Sequence, residues 1–95
     1  MRETEVESIQ NYHEHFVLSK VSALAPAYPA LDTDLLADVA CVALNRLPPR
    51  YIRHPVDLAF YMTDKERVDN ERAIEDAVRG AFEFVQARVA MRARK

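Results

Sequence analysis

Residues 32–49 read DTDLLADVACVALNRLPP, and this stretch decides the fold. Asp32 or Thr33 can accept the free backbone N–H groups at a helix start. Leu35, Leu36, Val39, Val42, Ala43 and Leu47 then fall on one side of a 3.6-residue repeat. Pro48 and Pro49 end it, because neither has an N–H and a residue before proline is pushed out of the helical region. A short, nearly all-apolar helix of this kind should be the most buried element, with neighbours on more than one side. The domain is therefore expected to be mostly α.

The flanking sequence supplies those neighbours. From Glu3 to Ala25, the residues Val6, Ile9, Tyr12, Phe16, Val17, Val21 and Leu24 fit one face of an amphipathic helix. Thr4 with Glu7 can form its capping box, and Pro26 and Pro29 stop it. Beyond Arg50 the period changes, since Val56, Leu58, Phe60 and Met62 alternate with Asp57, Ala59 and Tyr61 between Pro55 and Thr63. A short strand is the reading taken, and a helical turn with Pro55 in its first position is the competing one. Thr63 with Glu66 makes a second capping box. It opens a long helix to about Met91, carrying Val68, Ile74, Val78, Ala81, Phe82, Val85 and Val89 on one face. The expected architecture is a small helical domain of about three main helices with one short strand. Ala77 and Phe84 form a further stripe, and a lone strand needs a partner for its backbone groups. Both features point to a two-fold homodimer.

Composition narrows the functional classes. The chain has 95 residues, 49% hydrophobic, with 13 Lys and Arg against 15 Asp and Glu and a net charge of −2. A chain of this size buries roughly 60–65% of its unfolded surface, enough for a single core and a single domain, 1–95. One Gly and no Trp argue against a hairpin-rich β architecture. A single cysteine, Cys41, precludes an intramolecular disulfide and a Cys-based zinc cluster. The acidic start lacks signal-peptide features, and the longest apolar stretch, Leu35 to Leu44, is broken by Asp38. A cytoplasmic protein with no membrane partner is expected. Charge is uneven along the chain: −5 from Met1 to Asp38, +2 from Val39 to Met62 and +1 from Thr63 to Lys95. An anionic partner at the middle or the end suits this asymmetry. The terminal bases from Arg88 to Lys95 also complement a helix dipole.

Catalytic and metal constellations fail on spacing. His13 and His15 flank Glu14, but positions i and i+2 on a helix cannot close on one ion, so both read as surface histidines. Asp32, Asp34 and Asp38 lack the glycine and ligand spacing of a calcium loop. Cys41, among apolar neighbours, reads as a buried inert thiol. There is no phosphate-cradling glycine loop and no nucleophile motif, so no enzyme, metal or cofactor is expected.

The stretch from Leu44 to Pro55 is more informative. It gathers Arg46, Arg50, Arg53 and His54 around Tyr51 with no acid, and Pro48 and Pro49 pre-set its backbone. Guanidinium groups pair with phosphates and read guanine acceptors, and a Tyr ring stacks on bases. The same residues also suit a helix C-terminus whose cations offset the dipole, with Tyr51 and Ile52 turned into the core.

The run from Asp38 to Tyr51, DVACVALNRLPPRY, resembles the signature of the late competence development protein ComFB family: an Asp-Val start, an Ala-Leu-Asn-Arg centre and a Pro-Pro-Arg-Tyr ending. The order of helix, signature, strand and long helix is also similar. The resemblance implies a small α-rich homodimer, a bacterial cytosolic receptor for cyclic dinucleotides, chiefly cyclic di-GMP with cyclic di-AMP as the other choice. It implies signalling in motility, cell size or competence, and no catalysis. Its motif covers Asp38, Asn45, Arg46, Leu47, Pro48, Pro49, Arg50 and Tyr51. Some members carry cysteines suited to zinc just before the signature, where this chain reads APAYPAL over residues 25–31, so that site is absent. Asn45, Arg46, Pro48, Pro49, Arg50 and Tyr51 are the expected ligand contacts, joined by Arg53 and His54. Asp38, an acid within an apolar helix, is expected to be structural, paired with Arg46 or Arg50. The alternative is an adaptor homodimer that binds a protein partner through the apolar face of the last helix. Nucleic acid is disfavoured by the net charge.

Overall fold

The computed structural model describes residues 9–53 and 62–93. Strand β1 (Gln10–Asn11) runs directly into helix α1 (Tyr12–Leu24), followed by a 3-10 turn over Ala25–Ala27. Helix α2 (Thr33–Arg46), strand β2 (Tyr51–Ile52) and the 30-residue helix α3 (Asp64–Ala93) complete the chain. At 1.5 Å per residue α3 is about 45 Å long, and it accounts for most of the 52 Å longest dimension. None of these helices is long and apolar enough to cross a membrane.

Capping chemistry fixes two of the three helix starts as the sequence predicts. The Asp32 carboxylate accepts from the Leu35 N–H at 2.9 Å, and the Thr63 hydroxyl accepts from the Glu66 N–H at 3.1 Å. The third start differs. Ile9 is exposed and non-helical, and α1 begins at Tyr12 because Asn11, in extended conformation, is its cap. The Thr4 and Glu7 capping box lies outside the described residues, as do all but Met62 of the expected strand residues from Val56 to Met62. The observed strands are instead two residues each and antiparallel, pairing Gln10 with Ile52 and Asn11 with Tyr51. Within the described residues these two strands pair with each other inside one chain.

The three helices share one core. Val17 and Val21 of α1, Val39, Ala40 and Ala43 of α2, and Ile74, Ala77, Val78, Ala81, Phe82 and Val85 of α3 are buried together with Leu31 and Leu47. Tyr28 stacks on Phe82 at 4.4 Å between ring centroids. As its apolar sequence predicts, α2 packs against both neighbours and is the least exposed of the three helices, although it turns Ala37, Asp38, Cys41, Asn45 and Arg46 outward. Ala77 joins the core, whereas Val68 on the predicted face is exposed. Small residues at positions 40, 43, 77 and 81 let α2 and α3 approach closely. Lys20 lies 3.7 Å from Glu75, so α1 runs alongside the first half of α3. Arg46 meets Gly80 and Phe84 while Leu35 and Asp38 face Arg88, Val89 and Arg92, so α2 is antiparallel to α3.

The Asn11 side chain does two tasks with one oxygen. Its Oδ1 accepts from the His13 N–H and from the Arg50 N–H, each at 3.2 Å, while the Tyr12 N–H donates to the Arg50 carbonyl at 2.6 Å. Asn11→Ala should therefore cost about 1–2 kcal/mol, the range for loss of a cap. At ~4–8 °C per kcal/mol for a domain this small, the Tm should fall by about 5–15 °C. Asn11→Asp keeps an acceptor oxygen for both bonds and should recover most of the loss, as thermal unfolding followed by circular dichroism would show.

Candidate functional site

The chain leaves α2 after Arg46, and its Tyr51–Ile52 strand is laid beside the start of α1. Prolines 48 and 49 withhold their N–H groups, so the first donor available to the pin is that of Arg50, the one Asn11 receives. The backbone from Arg50 to Ile52 is thereby fixed by the Asn11 bond, the Tyr12 bond and the ladder. Its side chains are left outside: Pro48, Pro49, Arg50 and Arg53 are exposed, and Tyr51 retains 68% of its surface. Tyr51 does not turn into the core, because its partner across the ladder is the short edge strand β1 rather than a helix face. Among the described residues, no carboxylate forms an ion pair with Arg46, Arg50 or Arg53.

Arg46 belongs to a different neighbourhood. Its guanidinium carbon lies 5.6 Å from the centre of the Phe84 ring, and Arg88 lies 5.7 Å from the same ring. A Cβ at Gly80 would come within 2.7 Å of Arg46 Nη1, so the glycine leaves the room through which this side chain crosses α3. The signature thus splits: Arg46 is drawn onto the long helix, whereas Arg50 and Tyr51 project from the strand held by α1. Asn45 is exposed at the end of α2, and His54 lies outside the described residues.

Three expectations are corrected. Asp38 is exposed and makes no ion pair with Arg46 or Arg50 within the described residues. Position 38 sits at the edge of the packed face of α2, opposite Arg88 and Arg92, so no buried charge needed a partner. Cys41 is also exposed, since the buried positions of α2 are 39, 40 and 43 and residue 41 points between them and solvent. His13 is the reverse case. It is only 5% exposed, sealed on α1 beneath the strand segment, while His15 faces solvent. Among the described residues no three His, Cys, Asp or Glu side chains converge where a metal ion could be held.

The family model for the late competence development protein ComFB matches residues 10–89, which takes in the ladder, all of α1 and α2, and most of α3. The chain belongs to the ComFB family. No curated protein and no solved structure matches it. In this ComFB chain the signature Pro-Pro-Arg-Tyr leads into strand β2 and is held by Asn11 at its Arg50 N–H, so the motif and that bond form one local structure.

His13 is the residue of this ComFB site that sequence reasoning missed. A histidine two residues after a helix cap carries no pattern that marks it as buried; only the strand laid over it does that. Burial lowers its pKa from the usual 6.5, the positive charge of Arg50 lowers it further, and the nearby Pro48 backbone opposes both. Its Nδ1 has no hydrogen-bond partner within the described residues. Because the folded pKa lies below the unfolded one, the neutral ring's contribution is complete above about pH 6.5 and is lost as pH falls through the folded value. The Tm should hold level between about pH 7 and 8 and decline below about pH 6.5. In His13→Gln the decline should be shallower between about pH 6.5 and 5, above the range in which carboxylates titrate. Parallel pH profiles for the two proteins would assign the acid sensitivity elsewhere.

Proposed function

We propose that the protein is a non-enzymatic cytoplasmic receptor for a cyclic dinucleotide second messenger, cyclic di-GMP first and cyclic di-AMP second, acting in bacterial signalling as a homodimer. The observation that carries this reading is the exposure of Arg50 and Tyr51 on a backbone fixed at three points. A guanidinium without a competing carboxylate can pair with a phosphate or with the O6 and N7 acceptors of guanine. An exposed Tyr ring beside it offers a base a stacking surface. Fixing the backbone beforehand lowers the entropy lost when the ligand arrives. Arg53 and Asn45 add polar reach at the two ends of the segment, with Pro48 and Pro49 shaping the surface between them. A two-fold symmetric ligand also suits a two-fold dimer.

A second reading is an adaptor whose partner is another protein. It draws support from Phe84 and Met91, exposed seven residues apart on one face of α3. Titration calorimetry with cyclic di-GMP, cyclic di-AMP and GTP separates the two, since an adaptor takes up none of them. For the receptor, Arg50→Ala and Tyr51→Ala should each weaken cyclic di-GMP binding by roughly five- to 150-fold, the equivalent of about 1–3 kcal/mol. Arg50→Lys keeps the charge but not the planar fork and should lose nearly as much. The melting curve should move little in these variants, because the side chains concerned are exposed. Unchanged affinity in Arg50→Ala and Tyr51→Ala would move the weight to the adaptor.

A further inference from the structure

Away from the strand segment, α2 and the last third of α3 leave a cleft of about 310 Å³ between them. Its α2 wall consists of Leu35, Asp38, Cys41 and Val42. Across from it stand Phe84, Val85, Arg88, Val89 and Arg92. The chemistry is divided along its length. Leu35, Val42, Val85 and Val89 make an apolar floor, while Arg88 and Arg92, one helical turn apart, place two guanidinium groups on the same side. Arg46 adds a third guanidinium at the rim through Phe84. Among the described residues Asp38 is the one carboxylate that lines the cleft, and it forms no ion pair with these arginines.

We propose that this cleft binds a small organic carboxylate with an apolar body. The Arg88 and Arg92 guanidiniums take the carboxylate, whose two oxygens match a planar fork. Valine and leucine side chains take the body, and Asp38 accepts from a hydroxyl at its far end. The volume is at the low end for ligand sites, which suits about ten non-hydrogen atoms and is too small for a whole cyclic dinucleotide. A single negative charge fits better than a dianion, because the Asp38 carboxylate on the facing wall repels the second charge. This site is separate from the Arg50 and Tyr51 surface, and neither depends on the other.

The cleft contains its own reporter, since Cys41 is the single cysteine of the chain, is exposed and lines the cleft. The probe is 4-hydroxybenzoate, with neutral 4-hydroxybenzyl alcohol and inorganic phosphate as comparisons, and the readout is the rate of Cys41 alkylation by iodoacetamide, followed by mass spectrometry on the full chain. An affinity near 1 mM is ordinary for a ligand of about ten non-hydrogen atoms, so about 10 mM probe should slow alkylation about tenfold. The neutral alcohol and phosphate should leave the rate within about twofold, since each lacks one half of what the cleft recognises. In the Arg88→Ala, Arg92→Ala double variant the protection should vanish, whereas Arg72→Ala, exposed earlier on α3, should retain it. Circular dichroism checks that the double variant keeps its helices, and a variant with Lys at both positions should keep part of the protection if the double Ala variant unfolds. Equal protection by the alcohol or by phosphate, no protection by the carboxylate, or a Cys41 inert to iodoacetamide in the free protein would each overturn the proposal.

Discussion

One carboxamide oxygen joins the two ends of this architecture. Asn11 Oδ1 receives an N–H from His13, two residues ahead, and another from Arg50, 39 residues away in sequence. The first bond starts α1 and the second fixes the departure of the chain from α2. One donor sits at a helix start, where its amide has no intrahelical acceptor, and the other is the first N–H after two prolines that have none. Neighbouring features follow from that double acceptance. The ladder takes its register there, His13 is sealed beneath the strand, and the Arg50 and Tyr51 side chains are left facing out. The candidate site is thus a by-product of how the backbone satisfies its own hydrogen bonds.

The long helix organises the remainder. It lies alongside α1 in its first half and α2 in its second, and its small residues set how near each can come. Because α2 is antiparallel to it, the end of α2 meets the middle of α3 and the start of α2 meets its basic last turns. Arginines far apart in sequence, Arg46 and Arg88, thereby converge on the Phe84 ring. Exposed aromatic surface is costly in water, and two guanidinium groups over one ring cover part of it while remaining hydrated.

What could be read from the sequence was whatever is determined within a few residues. Asp32 and Thr63 cap their helices because the bonded partners are three residues on. Pro48 and Pro49 stop α2 through their own rings. Burial of Val39, Ala43, Val78 and Phe82 follows from a 3.6-residue repeat. The errors arise where the deciding partner is distant. Ile9 continues the periodicity of α1, yet the helix starts at Tyr12 because Arg50 and Asn11 take its first amides. His13 is buried by a strand segment nearly forty positions later. Asp38 and Cys41 occupy an apolar run, but the run is wider than the face that α3 covers, so both remain in solvent. For the same reason, local chemistry picked out Arg46 and Arg50 together, whereas the fold sends them to opposite neighbours.

The only glycine in the chain is in the middle of a helix, where it costs about 1 kcal/mol of intrinsic stability relative to alanine. Its backbone has no left-handed conformation that would call for glycine. What it supplies is the missing Cβ, in the space taken by the tip of a flexible arginine. An alanine there could be accommodated by withdrawal of that tip without displacing the main chain. Gly80 therefore governs where one positive charge sits on the molecular surface and leaves the path of the backbone untouched. A methyl group at this position would redraw the electrostatic potential of the protein while preserving its shape.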